Sequence, residues 1–249
     1  MKRGLLTIVF ILSASAVGSA QQITYYFPQL AIGEGWITTI FVSNTMTKGT
    51  GAATIMFTKS DGTPLMSNWF DEMGNNVTKG GNAIAVQLTA GESRRFVSVG
   101  DIPLTTGFAS VFANSSAVLA NAMFTQFDGS GNMLAEAGVP MAIPLVKQAL
   151  FVDTTNGFRT GLAVANPNDV SLQVHFDLLS DTGQVVTSVV RQLGASQQMA
   201  LFLDELFPGV PAMVGRVQFW ATNPVTSVAL RFSAPGIPFT TLSPLAVAN

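Results

Sequence analysis

The chain has 249 residues, a formal net charge of −2, 10% charged and 48% hydrophobic residues, a single histidine and no cysteine. These counts exclude disulfides, a Cys–His nucleophile pair, and any zinc site that needs cysteine or two histidines. With so few lysines and arginines there is no basic patch to neutralise phosphates, so nucleic acid is not an expected partner.

At the start, Lys2 and Arg3 precede an apolar run, Leu5 to Leu12, and then small residues from Ser13 to Ala20. This is the pattern of a cleavable secretory signal over 1–20. The apolar run is much shorter than the roughly 20 residues that span a bilayer, and no cysteine is present to carry a lipid. The expectation is a secreted, periplasmic or cell-surface protein with no membrane span after signal removal.

The remainder reads as two diverged copies of one unit. Gly35-Trp36-Ile37-Thr38-Thr39-Ile40-Phe41-Val42-Ser43-Asn44 aligns with Gly157-Phe158-Arg159-Thr160-Gly161-Leu162-Ala163-Val164-Ala165-Asn166. Further on, Ser60-Asp61-Gly62 aligns with Ser180-Asp181-Thr182-Gly183, Ala90-Gly91 with Ala195-Ser196, and Gly107–Asn114 with Gly215–Asn223. The spacing between these matches differs, and the extra residues of the first copy fall in 66–81. The expected organisation is a signal over 1–20, a first repeat over 21–140 with insertion 66–81, and a second repeat over 141–249. The boundary segment holds Pro140 and Pro144 and is expected to be stiff.

In chain order, period-two or apolar runs predict strands at Trp36–Ser43, Ala53–Lys59, Ala83–Leu88, Gly107–Ala113, Ala117–Phe127, Val214–Ala221 and Val225–Phe232. The clearest alternation is in the second copy, with Leu172, Val174, Phe176 and Leu178 on one face and Gln173, His175 and Asp177 on the other. Turns are expected at Asp61-Gly62, Asp128-Gly129, Asn166-Pro167 and Asn223-Pro224. Leu201–Phe207, closed by Pro208, reads as a short helical turn. The pattern predicts an all-β chain of two tandem immunoglobulin-like antiparallel β-sandwich domains. The strands are short and broken by Pro and Gly, unlike those of an outer-membrane barrel.

Phe27-Pro28-Gln29-Leu30, Gly35-Trp36, Asp61-Gly62, Leu206-Phe207-Pro208, Arg231-Phe232 and Phe239-Thr240-Thr241-Leu242 together resemble a group of secreted repeat proteins of soil bacteria, notably Acidobacteria. The resemblance covers nearly the whole chain after residue 20. It implies export and immunoglobulin-like folding, and it assigns neither an activity nor any functional residue.

Residue patterns that carry catalysis or bind metal are sparse in this chain. His175 sits on a strand face beside Gln173 and Asp177, and no G-x-S-x-G elbow surrounds a serine. Asp71-Glu72 and Asp204-Glu205 are adjacent carboxylates, which on a strand point to opposite faces and so do not flank one bond. Asp128-Gly129-Ser130-Gly131-Asn132 begins like a calcium loop, but Met133 stands where glycine is required and Val139 where glutamate is required. No cofactor and no metal are expected.

The insertion is the candidate binding loop, with Trp69, Phe70, Asp71 and Glu72 as its residues, because exposed aromatics on a loop can stack on a sugar or enter a partner's pocket. Trp36 and Trp220 lie inside strand patterns and read as core. The expected function is a secreted non-enzymatic surface or matrix module for adhesion or protein–protein assembly, facing an extracellular protein or polysaccharide surface. The alternatives are a carbohydrate-binding accessory protein and a subunit of a self-assembling extracellular fibre. Nothing in the sequence sets the oligomeric state.

Overall fold

The computed structural model describes residues 22–100, 102–233 and 238–247. The signal expected over 1–20 lies outside them. The chain is all-β, and every strand pairing is antiparallel. In the first half the strands are β1 (Ile23–Ile32), β2 (Trp36–Asn44), β3 (Thr50–Lys59), β4 (Trp69–Asp71), β5 (Ala83–Thr89), β6 (Ser93–Ser98), β7 (Thr105–Ala113), β8 (Val118–Phe127) and β9 (Met133–Val139). The second half holds β10 (Leu145–Asp153), β11 (Arg159–Ala165), β12 (Leu172–Ser180), β13 (Val185–Leu193), β14 (Gln198–Phe202), a helical turn α1 (Leu203–Leu206), β15 (Val214–Phe232), β16 (Phe239–Leu242) and β17 (Leu245–Ala246).

The first half forms two open sheets, ordered β1-β7-β3-β5 and β4-β6-β2-β8-β9. Their inward residues, among them Ile55, Phe57 and Val111 from one sheet and Ile40, Phe96 and Phe124 from the other, share one core. In the second half one sheet runs β13-β12-β15-β10-β17, and the other has β11 between β14 and β15, with β16 on the far side of β15. The expected inward set Leu172, Val174, Phe176 and Leu178 is buried, with Leu150, Val217 and Phe219 around it.

β15 is one 19-residue strand where the sequence predicts two strands and a turn. Its first part pairs with β10 and β12, and its last part pairs with β11 and β16. Asn223 and Pro224 sit at the crossing between the sheets, where no ladder partner is assigned to either residue. Proline lacks an N–H, so it is tolerated where no ladder bond is needed. In the first half, by contrast, two separate strands do this: β7 lies in one sheet, β8 in the other, and 114–117 join them.

The halves are packed together. β11 is buried at every position after Arg159, and β15 is buried from Val225 to Leu230, on both faces. Ala163, Val228, Leu230 and Phe239 belong to the same apolar cluster as the first half's core. Gln198 pins the contact. Its Oε1 accepts from Ser60 Oγ at 2.6 Å, its backbone N–H donates to Ser60 O at 3.1 Å, and its Nε2 donates to Pro28 O at 3.3 Å and to Gln29 Oε1. Thr241 Oγ1 donates to Gly138 O, so the edge strands β9 and β16 lie side by side.

Candidate functional site

The insertion does not form an open loop. Residues 69–71 pair as β4 with β6, placing Trp69 opposite Ser98 and Asp71 opposite Phe96. Trp69 is 0% exposed and stacks on Phe57 with centroids 4.3 Å apart and planes 6° apart. This corrects the expectation of an aromatic available to a ligand: the ring is part of the first half's core, where it supplies a large buried apolar area. Phe70 is only half-buried and lies opposite Val97.

The carboxylates of this segment hold the loop itself together. Asp71 accepts from Asn75 Nδ2 at 3.0 Å, from Asn75 N at 2.8 Å and from Met73 N at 3.0 Å. The Asn75 side-chain amide, followed by its backbone N–H, holds the Asp71 carboxyl below its ordinary range. Arg94 then bridges Asp71 at 3.3 Å and Glu72 at 2.5 Å. The other adjacent pair is similarly engaged: Asp204 takes Arg159 Nη2 at 3.1 Å, and Glu205 Oε2 accepts from Phe202 N at 2.7 Å, capping α1. Asp128 accepts from Ser130 N, Asn132 N and Asn132 Nδ2 in the β8–β9 hairpin, which accounts for the calcium-like start of that segment.

Trp36 and Trp220, which read as core, are only partly buried: Trp36 packs against the edge of the first core, and Trp220 lies outside both cores. Trp220 lies on the outer face of the β13-β12-β15-β10-β17 sheet, opposite His175 on β12 and Lys147 on β10. The His175 and Trp220 rings are stacked, 5.3 Å apart and 8° from parallel. Val190 and Phe151 extend this face, 46% and 54% exposed. Period-two alternation marks Trp220 as facing away from Phe219, but Phe219 is what the core uses, and alternation alone does not say which of two aromatics is inside.

A cleft of about 350 Å³ lies between the halves. Its floor is the outer face of β11 and β14, where Gly161, Ala163 and Ala200 leave room, together with Ala31 of β1. Its walls are aromatic. Trp36 meets Phe124 edge-on at 6.5 Å and Phe239 at 5.3 Å; Phe239 meets Phe232 at 5.4 Å, and Phe232 meets Phe202 at 5.4 Å. The row therefore crosses from one half to the other. Trp36 is presented by a tight turn in which Gly33 and Gly35 adopt φ of 100° and 83°. A Cβ on Gly33 would come within 2.3 Å of Ile102 O, and one on Gly35 within 2.5 Å of Phe127 O, so only glycine fits there.

Charge at the cleft is spent at the rim. Arg159 Cζ lies 3.6 Å above the Phe202 ring while its guanidinium pairs with Asp204. Glu205 is the lining carboxylate, committed through Oε2 to the Phe202 N–H. Gln29 Oε1 faces Gln198, and among the described residues no hydrogen bond uses Gln29 Nε2. No sequence pattern marks this site as a whole, because its residues are spread over β1, β2, β7, β8, β11, β14, α1 and β15. The one local signal was Gly161 in the middle of a strand pattern, which often marks a close approach.

No family model matches the chain, and no curated protein matches it. Among solved structures, the crystal structure of Thermotoga maritima 1070 is similar over 40% of this chain and 90% of its own, at 14% identity and a TM-score of 0.33. At that score the likeness carries no argument about fold or function.

Proposed function

We propose that the chain is an exported, non-enzymatic protein built from two copies of one immunoglobulin-like sandwich module, working at the cell surface or in the matrix in adhesion or protein–protein assembly. The two-copy reading is supported by strand order: β5-β3-β7-β1 runs parallel to β13-β12-β15-β10, and β6-β2-β8-β9 to β14-β11-β15-β16. Buried residues repeat too. Thr38 Oγ1 donates to Ala31 O, and Thr160 Oγ1 to Asp153 O, each reaching seven residues back. Asn44 ends β2 and Asn166 directly follows β11, and both donate from Nδ2 to backbone carbonyls.

The non-enzymatic reading is supported by how the carboxylates are used. Asp61, Asp71, Glu72, Glu92, Asp128 and Asp153 are all held below their ordinary range, and each accepts hydrogen bonds from a turn or from neighbouring strand backbone. A general acid would need the opposite shift.

The observation that carries the adhesive role is the outer face with Phe151, Trp220 and Val190, whose strands are braced by the core beneath and by the second sheet. Partly exposed aromatics on a rigid sheet lose little conformational freedom on binding and are the residues that dominate protein contacts. The test replaces Trp220 and Phe151 by Ser. The double variant is expected to keep its thermal midpoint within a few degrees and to lose retention on the producing cell's envelope or matrix. Retention equal to wild type would sink the proposal.

A further inference from the structure

We infer that the cleft between the two halves is a binding site for a small, uncharged, ring-bearing apolar molecule. This goes beyond the adhesive role and does not depend on it. A volume of about 350 Å³ falls in the range that small molecules occupy, and the boundary between two packed units is a usual place for such a site.

The floor is open where packing does not demand it. An added Cβ on Gly161 would lie 3.7 Å from Phe202 Cδ1 and 3.7 Å from Phe232 Cε2, which is ordinary contact distance. Gly161 carries no positive φ. Neither steric conflict nor backbone conformation therefore explains a glycine at the centre of β11, buried between β14 and β15, where glycine weakens a strand. What the absent side chain does is leave space between Phe202, Leu230 and Phe232. The opposed pair Ala163 and Ala200 extends that space, and Trp36 and Phe124 close it from the other half.

The lining selects the ligand class. Aromatic faces and edges with Leu104, Leu201 and Leu230 favour flat apolar rings. A cation is disfavoured at Phe202 because Arg159 already covers that ring, and an anion would meet Glu205. A sugar would find few partners for its hydroxyls, since Gln29, Thr106 and Glu205 are the polar side chains of the lining. The free Nε2 donors of Gln29 suit one carbonyl or ether oxygen at the ligand's end.

The test titrates the full chain with N-phenyl-1-naphthylamine, a neutral two-ring fluorophore that brightens in apolar surroundings. Saturable brightening at one site per chain is expected, with quenching of tryptophan emission. Gly161→Leu fills the floor and is expected to weaken the probe at least ten-fold. Leu104→Trp, at a residue 46% exposed on the rim, narrows the mouth without touching the core and is expected to do the same. Gly161→Ala is expected to fold and bind within a few-fold of wild type. The inference is overturned if wild type does not bind the probe, or if Leu104→Trp and a folded Gly161→Leu both bind as wild type. Choline or cello-oligosaccharides competing as well as neutral aromatics would overturn the ligand class. Trp220→Ser with Phe151→Ser is expected to leave probe binding intact, which keeps this outcome separate from that of the adhesive proposal.

Discussion

The side chain of Trp69 is held by packing alone. Its ring lies flat on Phe57 inside the first core, while its Nε1, fully buried, has no hydrogen-bond partner among the described residues. An unpaired buried donor offsets part of the area gain. Trp69→Ala is therefore expected to cost about 3–5 kcal/mol in urea unfolding. Trp69→Phe is expected to cost much less, because it removes the orphan N–H along with the second ring. If the two substitutions prove equally costly, the ring is not being held by its packing. The buried asparagines show the opposite economy at the same scale. Asn166 Nδ2 donates to Val170 O and Gly194 O at 2.8 Å each, and its Oδ1 accepts from Asn168 N at 3.0 Å. A side chain so satisfied can end a strand in a dry interior.

Turn chemistry governs the elements. Asp71-Glu72-Met73-Gly74-Asn75 and Asp128-Gly129-Ser130-Gly131-Asn132 use one device: an aspartate accepts from the backbone two and four residues on, and from the asparagine amide. Both aspartates are held low first by that amide and then by the asparagine N–H. A depressed folded value contributes stability above the ordinary carboxyl range, near pH 3.9, and that contribution is lost as the pH falls through the folded value. Asp71→Asn with Asp128→Asn keeps an acceptor that does not titrate. The double variant is expected to show a shallower loss of stability between pH 4 and pH 2 than wild type, measured by urea unfolding; an unchanged slope would remove these groups from the acid limb. The turn at Asp128 was legible because an Asx turn depends only on neighbours in sequence, whereas the same device at Asp71 lay inside a segment that reads as a binding loop. β15 was not legible: Asn223-Pro224 carries a turn signal, yet the strand passes through it, because pairing partners on both sides hold the backbone extended.

At the scale of the molecule, the two halves meet through Gln198. It is 5% exposed and bonded to Ser60, Pro28 and Gln29 of the other half. Removing it strands buried partners, which costs about 1–3 kcal/mol. Gln198→Ala is expected to lower stability by that amount and to split a single calorimetric transition into two, with the far-ultraviolet spectrum unchanged. A single transition at the wild-type midpoint would show that the apolar contacts of Ala163, Val228 and Leu230 suffice.

By itself the sequence determined the all-β class, the spans of β2, β3, β5, β7 and β8, the turns at Asp61-Gly62 and Asp128-Gly129, and the inward set of β12, because alternation and turn geometry are local properties of the chain. Only the tertiary structure decided the places of the tryptophans and the existence of the cleft. Alternation separates two faces without naming which one meets another layer, and Trp36, Phe124, Gly161 and Phe202 become neighbours only when the two halves pack.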